Sequence, residues 1–240
     1  MKILMTGGSG LLGSHILKLD TSLIAPSRAE MDITDAEAVE RIIEKYRPDT
    51  VLHLAAATHP PAHEKNPELG QLNNVQGTAH VAHAAAKIGA RLVYTSSDYV
   101  YTGPGPHKED EPVVAPSQFI ASKIGGEEEA KKASRHLILR LSFGPVPFPW
   151  EKVYSDQFSS KLYVDEMAPL VLAVAKSAET GIMNVGGPRT SLEDYARRTR
   201  PDIETIPKPG WVPADTSLDL SRMCTALGIT DLQTLLKHGV

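Results

Sequence analysis

Residues 1–19 read MKILMTGGSGLLGSHILKL, and the order of their parts decides the fold. Ile3-Leu4-Met5 is an apolar run of strand length, residues 6–13 (TGGSGLLG) are a glycine turn, and Leu11–Leu19 is amphipathic. A strand, a glycine turn and a helix that begins inside the turn make the phosphate-binding end of a βαβ unit. Gly7 is expected to take the positive φ of the tight turn. Gly10 lets the backbone approach a pyrophosphate, and Gly13 lets the helix pack tightly on its strand. The free N–H groups and positive dipole end of that helix then face the diphosphate. Gly7, Gly10, Leu11, Leu12 and Gly13 are therefore expected to hold a dinucleotide.

Outward from this unit, strand-like and helix-like segments alternate. Ser22–Ala25 reads as a short strand, Asp35–Tyr46 as an amphipathic helix and Asp49–Leu54 as a buried strand. Asn66–Lys87 reads as one long helix, Arg91–Thr95 as a strand, Pro116–Ala133 as a helix and His136–Leu141 as a strand. Parallel strands need crossover connections, so the expected fold class is α/β, a doubly wound parallel sheet of Rossmann type with ligands at the carboxyl ends of its strands. Phe143–Trp150 (FGPVPFPW) breaks the alternation with three prolines in eight residues. Beyond it, helices are expected near Asp165–Ser177 and Ser191–Arg198, with a strand near Gly181–Val185 between them. A loop at Ile206–Pro213 and short helices at Ser217–Leu227 and Asp231–His238 complete the reading. Residues 1–144 are assigned to the dinucleotide-binding domain, and residues 145–240 to a small substrate lobe interleaved with it.

Composition narrows the class of partner. A 41% hydrophobic, 22% charged chain with net charge −4 reads as a soluble globular protein, with no call for nucleic acid or an anionic membrane. The single cysteine, Cys224, suits a reducing compartment, and no apolar run is long enough to span a bilayer, so a cytoplasmic protein is expected. Among the nine histidines, His59, His63, His80 and His83 lack zinc-type spacing with cysteine, and no metal is expected.

Ser96-Ser97-Asp98-Tyr99-Val100-Tyr101 follows the strand Arg91–Thr95 directly. Phe119 comes twenty-two residues after Ser97, and Lys123 four residues later, on the same face of a helix. A strand-end serine, an aromatic ring and a lysine would converge there beside the nicotinamide end of a cofactor.

With these residues the chain resembles the extended short-chain dehydrogenases/reductases, and within them the dTDP-4-dehydrorhamnose reductase family. TGGSGLLG corresponds to the nucleotide loop, and Asp32-Ile-Thr-Asp35 to the segment after the second strand. Residues 46–57 (YRPDTVLHLAAA), Asn74-Val-Gln-Gly-Thr78 and Ser97-Asp-Tyr-Val-Tyr101 match further family motifs. So do Ser122-Lys123 with Gly126-Glu127, Asp156-Gln157-Phe158, and Asp215–Leu220. The resemblance implies hydride transfer from a nicotinamide cofactor to the 4-keto group of a nucleotide-activated deoxysugar. Ser97 would hold the carbonyl and Lys123 the ribose. It further implies cofactor contacts from Asp32, Ile33, Ala55, Ala56, Ala57 and Asn74, and substrate contacts from Ser96, Ser97, Tyr99 and Gln157. Ser27-Arg28 stands where an acidic residue would grip an NAD ribose, and Arg28 suits a 2′-phosphate instead, so the expected cofactor is NADP, with NAD as the alternative. A homodimer is the assembly that the resemblance leaves open.

One departure matters most. The family's catalytic pair is Tyr-x-x-x-Lys, and this chain has Phe119 at the tyrosine position. The phenol gives a proton to the carbonyl oxygen as hydride arrives, and losing such a general acid costs ~10²–10⁴ in rate. Three readings stand open: an introduced change, a natural variant using another acid, or a non-catalytic nucleotide-binding regulatory subunit. An epimerase or dehydratase of the same superfamily is the enzymatic alternative.

Overall fold

A computed structural model describes residues 1–210 and 212–238. Trp211, inside the expected loop Ile206–Pro213, and residues 239–240 lie outside the described residues.

Five strands form the central sheet: β1 (Ile3–Thr6), β2 (Thr50–His53), β3 (Arg91–Thr95), β4 (His136–Leu141) and β5 (Gly181–Val185). They pair in that spatial order, all parallel, with Ile3 opposite Thr50 and Leu92 opposite His136. Successive side chains leave opposite faces of a strand. Ile3 and Met5 accordingly join one apolar cluster and Leu4 the other. The first cluster is roofed by α1 (Leu11–Leu19) and α5 (Val164–Lys176), which pack on each other. α2 (Ala36–Tyr46) and α3 (Gly77–Lys87) cover the opposite face, and α4 (Gln118–Ala130) packs on α3. Helices on both faces make this the doubly wound α/β fold expected.

Caps explain the helix starts. The Asp35 carboxylate accepts from the N–H groups of Glu37 and Ala38 at 3.0 and 3.1 Å, and Ser117 Oγ accepts from Ile120 N–H at 3.2 Å.

Four segments differ from the sequence expectation. Ser22–Ala25 is reduced to a bridge from Ile24 to Leu4, with a turn at Asp20–Ser22 on one side and Pro26, which lacks an N–H, on the other. The stretch Asn66–Lys87 is not one α-helix. Pro67 starts a short helical turn, Gln71–Gln76 is a π-helix, and α3 continues from Gly77. The helix expected at Ser217–Leu227 starts only at Ser221, as α7 (Ser221–Leu227). Tertiary partners take the preceding backbone groups: Leu218 N–H donates to Ser160 Oγ at 3.1 Å, and Ser217 O accepts from His107 N–H at 2.8 Å. Asp231–His238 holds a single 3₁₀ turn, Leu232–Leu235, capped by Asp231.

The C-terminal part serves both layers. β5 and α5 belong to the central sheet and its roof, while short strands build a lobe around them. Phe158–Ser159 lies between Thr190–Ser191 and Asp215–Thr216. Lys152–Tyr154 pairs with Glu204–Ile206. A small core of Phe148, Val153, Tyr163, Tyr195, Ala196 and Ile203 sits beneath, with α6 (Leu192–Arg197) contributing Tyr195 and Ala196.

Candidate active site

A cleft of about 560 Å³ runs along the carboxyl ends of β1, β2 and β3. At its centre lies the glycine turn. Gly7 has φ +73°, and a Cβ there would stand 2.7 Å from Ala55 N. Gly10 N–H donates to Gly7 O at 3.0 Å, and a Cβ on Gly13 would stand 2.3 Å from that same oxygen. No side chain caps α1, so its first N–H groups, on Leu11, Leu12 and Gly13, are left for a ligand. A turn with no room for a Cβ at Gly7 or Gly13, followed by uncapped donors on the cleft wall, fits a dinucleotide diphosphate.

Behind the turn a hydrogen-bond chain fixes the strand ends. Ala55 N–H donates to Thr6 Oγ1 at 3.1 Å, and the same oxygen lies 2.7 Å from His53 Nδ1. Thr78 donates to Asn74 O at 2.7 Å and so accepts from His53 Nε2–H at 3.1 Å, which leaves Nδ1 of the neutral ring to accept from the Thr6 hydroxyl. Burial pushes the His53 imidazole down to about 3, so it is neutral at physiological pH.

Arg28, Asp32 and Ile33 line one end of the cleft. Arg28 Nε donates to Asp32 Oδ2 at 3.0 Å, and the other Asp32 oxygen accepts from Thr34 N–H and Oγ1 at 3.0 and 2.8 Å. Those Thr34 bonds, with Arg28 beside them, hold the Asp32 carboxyl below its usual range. Asp35, not Asp32, caps the helix that follows.

Ser96, Ser97, Phe119 and Lys123 line the other end, while Ala55 and Ala56 lie on the wall between. Buried Lys123 donates from Nζ to Thr95 O at 2.6 Å and stands 4.5 Å over the Tyr94 ring. Burial brings its ammonium down to about 7. Ser97 Oγ accepts from Tyr99 N–H at 3.2 Å and reaches Asp98 Oδ1 at 3.4 Å. The Phe119 ring meets His63 edge to face, centroids 5.2 Å apart.

Five expected contacts stand off this wall. Asn74 and Ala57 are bound to each other: Asn74 Oδ1 accepts from Ala57 N–H at 2.8 Å, and Nδ2 donates to Ala57 O at 3.0 Å. Nδ2 also donates to Ser122 Oγ at 2.8 Å, so the Asn74 amide is a strut between the end of β2 and α4, not a cofactor ligand. Ser27 is bound to the Glu30 carboxylate through N–H and Oγ, both at 2.8 Å. Gln157 Nε2 donates to Tyr99 Oη at 2.8 Å.

The sequence reading passed over three useful groups. Asn73 reaches the cleft because the π turn offsets it from Asn74. Asp98, inside the quoted motif but given no role, is buried and accepts from Thr216 Oγ1 at 2.9 Å and Ser159 Oγ at 3.3 Å. It ties the end of β3 to the small lobe, and burial raises its carboxyl to about 6, against the pull of the nearby Lys161 ammonium. Lys161 is the third, and only its position three-dimensionally beside Asp98 reveals it.

Comparison with known proteins adds three kinds of likeness. The family profile of the RmlD substrate binding domain matches residues 1–144. A dTDP-4-dehydrorhamnose reductase of Mycobacterium tuberculosis is 27% identical over 97% of this chain and 89% of its own length. Methionine adenosyltransferase 2 subunit beta of Xenopus tropicalis is 33% identical, over 52% of this chain and 41% of its own. Among solved structures, a dTDP-4-dehydrorhamnose reductase of Bacillus anthracis in complex with NADP superimposes with a TM-score of 0.84 at 22% identity, covering 97% of this chain and 95% of that one.

Proposed function

The chain belongs to the RmlD substrate binding domain family, and from that premise we propose that it reduces the 4-keto group of a nucleotide-activated deoxysugar, using NADPH. The observation that carries this reading is the single cleft joining the uncapped glycine turn to Ser97 and Lys123. Bound NADPH supplies the hydride. The chain's own residues bind and orient: Leu11, Leu12 and Gly13 N–H groups take the diphosphate, Arg28 the 2′-phosphate, and Ser97 the carbonyl oxygen. Ser96 stays on the wall at the reacting end, and Tyr99 with Gln157 is proposed to meet the sugar beyond it.

The reductase reading outranks that of a non-catalytic subunit because the likeness to a reductase runs over 97% of the chain, whereas the likeness to the adenosyltransferase subunit covers 52%. A reducing, cytoplasmic setting suits both NADPH and the single Cys224. Assembly as a homodimer belongs to the same reading and is checked by light scattering.

The test is NADPH oxidation with dTDP-4-keto-deoxysugars, alongside NADPH binding by fluorescence. Phe119→Tyr, which restores a phenol at that position, is expected to raise turnover. Tight NADPH binding with no turnover by either form would instead favour a regulatory subunit.

A further inference from the structure

The reductase reading leaves the carbonyl oxygen without the family's proton donor, because the Phe119 ring carries no hydroxyl. The other phenols near the end of β3 do not replace it. Tyr94 is buried beneath Lys123, with its Oη donating to Lys123 O at 3.3 Å. Tyr99 is bound to Gln157, and burial pushes its phenol up to about 12. Tyr101 is fully buried, donating to Asn184 Oδ1 and accepting from Arg140.

The remaining acids also fail on position. Asp98 is not on the cleft wall: its Oδ2 accepts from Thr216 and Ser159, and its Oδ1 meets the substrate side only through the Ser97 hydroxyl at 3.4 Å. His63 is buried behind Phe119, with Nε2 on Ala57 O at 3.0 Å. His53 is neutral and closed between Thr6 and Thr78. The hydroxyls of Ser96, Ser97, Thr58 and Ser142 line the cleft but are far too weakly acidic to release a proton near neutral pH.

Lys123 differs from all of these. It lies on the cleft wall, one helical turn beyond Phe119 on the same face of α4. No carboxylate among the described residues pairs with its Nζ, which donates to Thr95 O. Glu127, the acid on its own helix, is held by Arg140 of β4 through bonds of 3.0 and 2.8 Å. From β2 and β3 it faces only the neutral His53 and the Tyr94 ring. Burial outweighs the Glu127 charge and the Tyr94 ring, both of which favour the ammonium, so this group gives up a proton more readily than a solvated lysine.

We infer that Lys123 is itself the proton donor in this chain, serving the carbonyl oxygen in place of the phenol that Phe119 lacks. The inference rests on the reductase reading. As the hydride joins the carbonyl carbon with its two electrons, the C=O π pair takes a proton from Nζ. An O–H bond forms, and the N–H bond breaks with its electron pair left on a neutral amine. Loss of the hydride would leave the bound cofactor oxidised as NADP⁺, and Nζ regains its proton from water after the alcohol leaves. Its pKa, lowered by burial to about 7, matches the carrier to neutral pH.

The experiment compares the unsubstituted protein, Lys123→Arg and Phe119→Tyr. A guanidinium keeps the cation and does not release its proton below pH ~12. Lys123→Arg is expected to lower kcat by ~100-fold or more while NADPH affinity stays within ~10-fold, and kcat of the unsubstituted protein should fall as pH rises through ~7. ¹⁵N NMR of lysine Nζ in the NADPH complex, assigned with Lys123→Arg, should show deprotonation near neutrality. Retained kcat in Lys123→Arg, or an ammonium that stays protonated well above neutral pH, overturns the inference. Turnover by Phe119→Tyr alone overturns it too but leaves the reductase reading standing. No turnover by either the unsubstituted protein or Phe119→Tyr overturns both.

Discussion

The Arg140 guanidinium grips the Glu127 carboxylate through two hydrogen bonds, Nε to Oε1 at 3.0 Å and Nη2 to Oε2 at 2.8 Å, with both side chains almost wholly buried. The pair locks α4, which carries Phe119 and Lys123, onto β4. It also takes the hydrogen bonds of the carboxylate on the lysine's own helix, whose charge still raises the Lys123 pKa. A buried pair adds little over a well-packed apolar pair, but breaking it strands a charge. Glu127→Ala is expected to lower unfolding free energy by about 3–5 kcal/mol, read from urea denaturation. The double change Glu127→Leu with Arg140→Met should recover most of that loss.

Gly13→Ala tests the cradle. Its Cβ would lie 2.3 Å from Gly7 O, a backbone atom that cannot swing aside. The turn must open, with a loss of about 1–3 kcal/mol in stability. NADPH binding, followed by fluorescence, should weaken more than the stability change alone explains, because the displaced N–H groups are the diphosphate's donors.

Arg28→Ala tests cofactor choice. The guanidinium is largely exposed and bound to Asp32, so little in the fold depends on it. Hydrogen bonds to a charged group are worth about 1.5–3 kcal/mol, and NADPH should bind ~10- to 100-fold more weakly while NADH is nearly unaffected. An unchanged NADPH preference would remove Arg28 from the site.

His53 makes the fold acid-sensitive. Burial holds its native pKa near 3, against an ordinary 6.5 in the unfolded chain. Between those values the unfolded chain binds a proton that the native state excludes, so stability falls as pH drops through this window. His53→Gln, which retains a donor and an acceptor for Thr6 and Thr78, should flatten that decline in urea titrations run from neutral pH to pH ~4.

Strands and caps were legible because their causes are local. Arg91–Thr95, His136–Leu141 and Gly181–Val185 lie where their apolar runs indicate, and Asp35 stands one residue before the helix it caps. The π turn at Gln71–Gln76 was not legible, because its sequence (QLNNVQ) suits an α-helix equally well. What favours the wider turn is tertiary: the Asn74 amide is held by Ala57 and Ser122, from two other elements. The same bonds moved Asn74 from expected ligand to strut and left Asn73 on the cleft.

The sequence alone determined the class of fold, the glycine cradle and the absence of a phenol at position 119. Each depends on residue type and short spacing: a turn without Cβ atoms, a period of two or of 3.6, a ring without oxygen. Tertiary structure alone decided the state of Lys123. Its lowered pKa arises from burial, which outweighs the Glu127 carboxylate, held by Arg140, and the Tyr94 ring beneath it, both of which favour the charged ammonium. Those partners come from β4 and β3 as well as from α4. An ionisation constant is set by everything within a few ångströms, and only the folded chain brings those groups together.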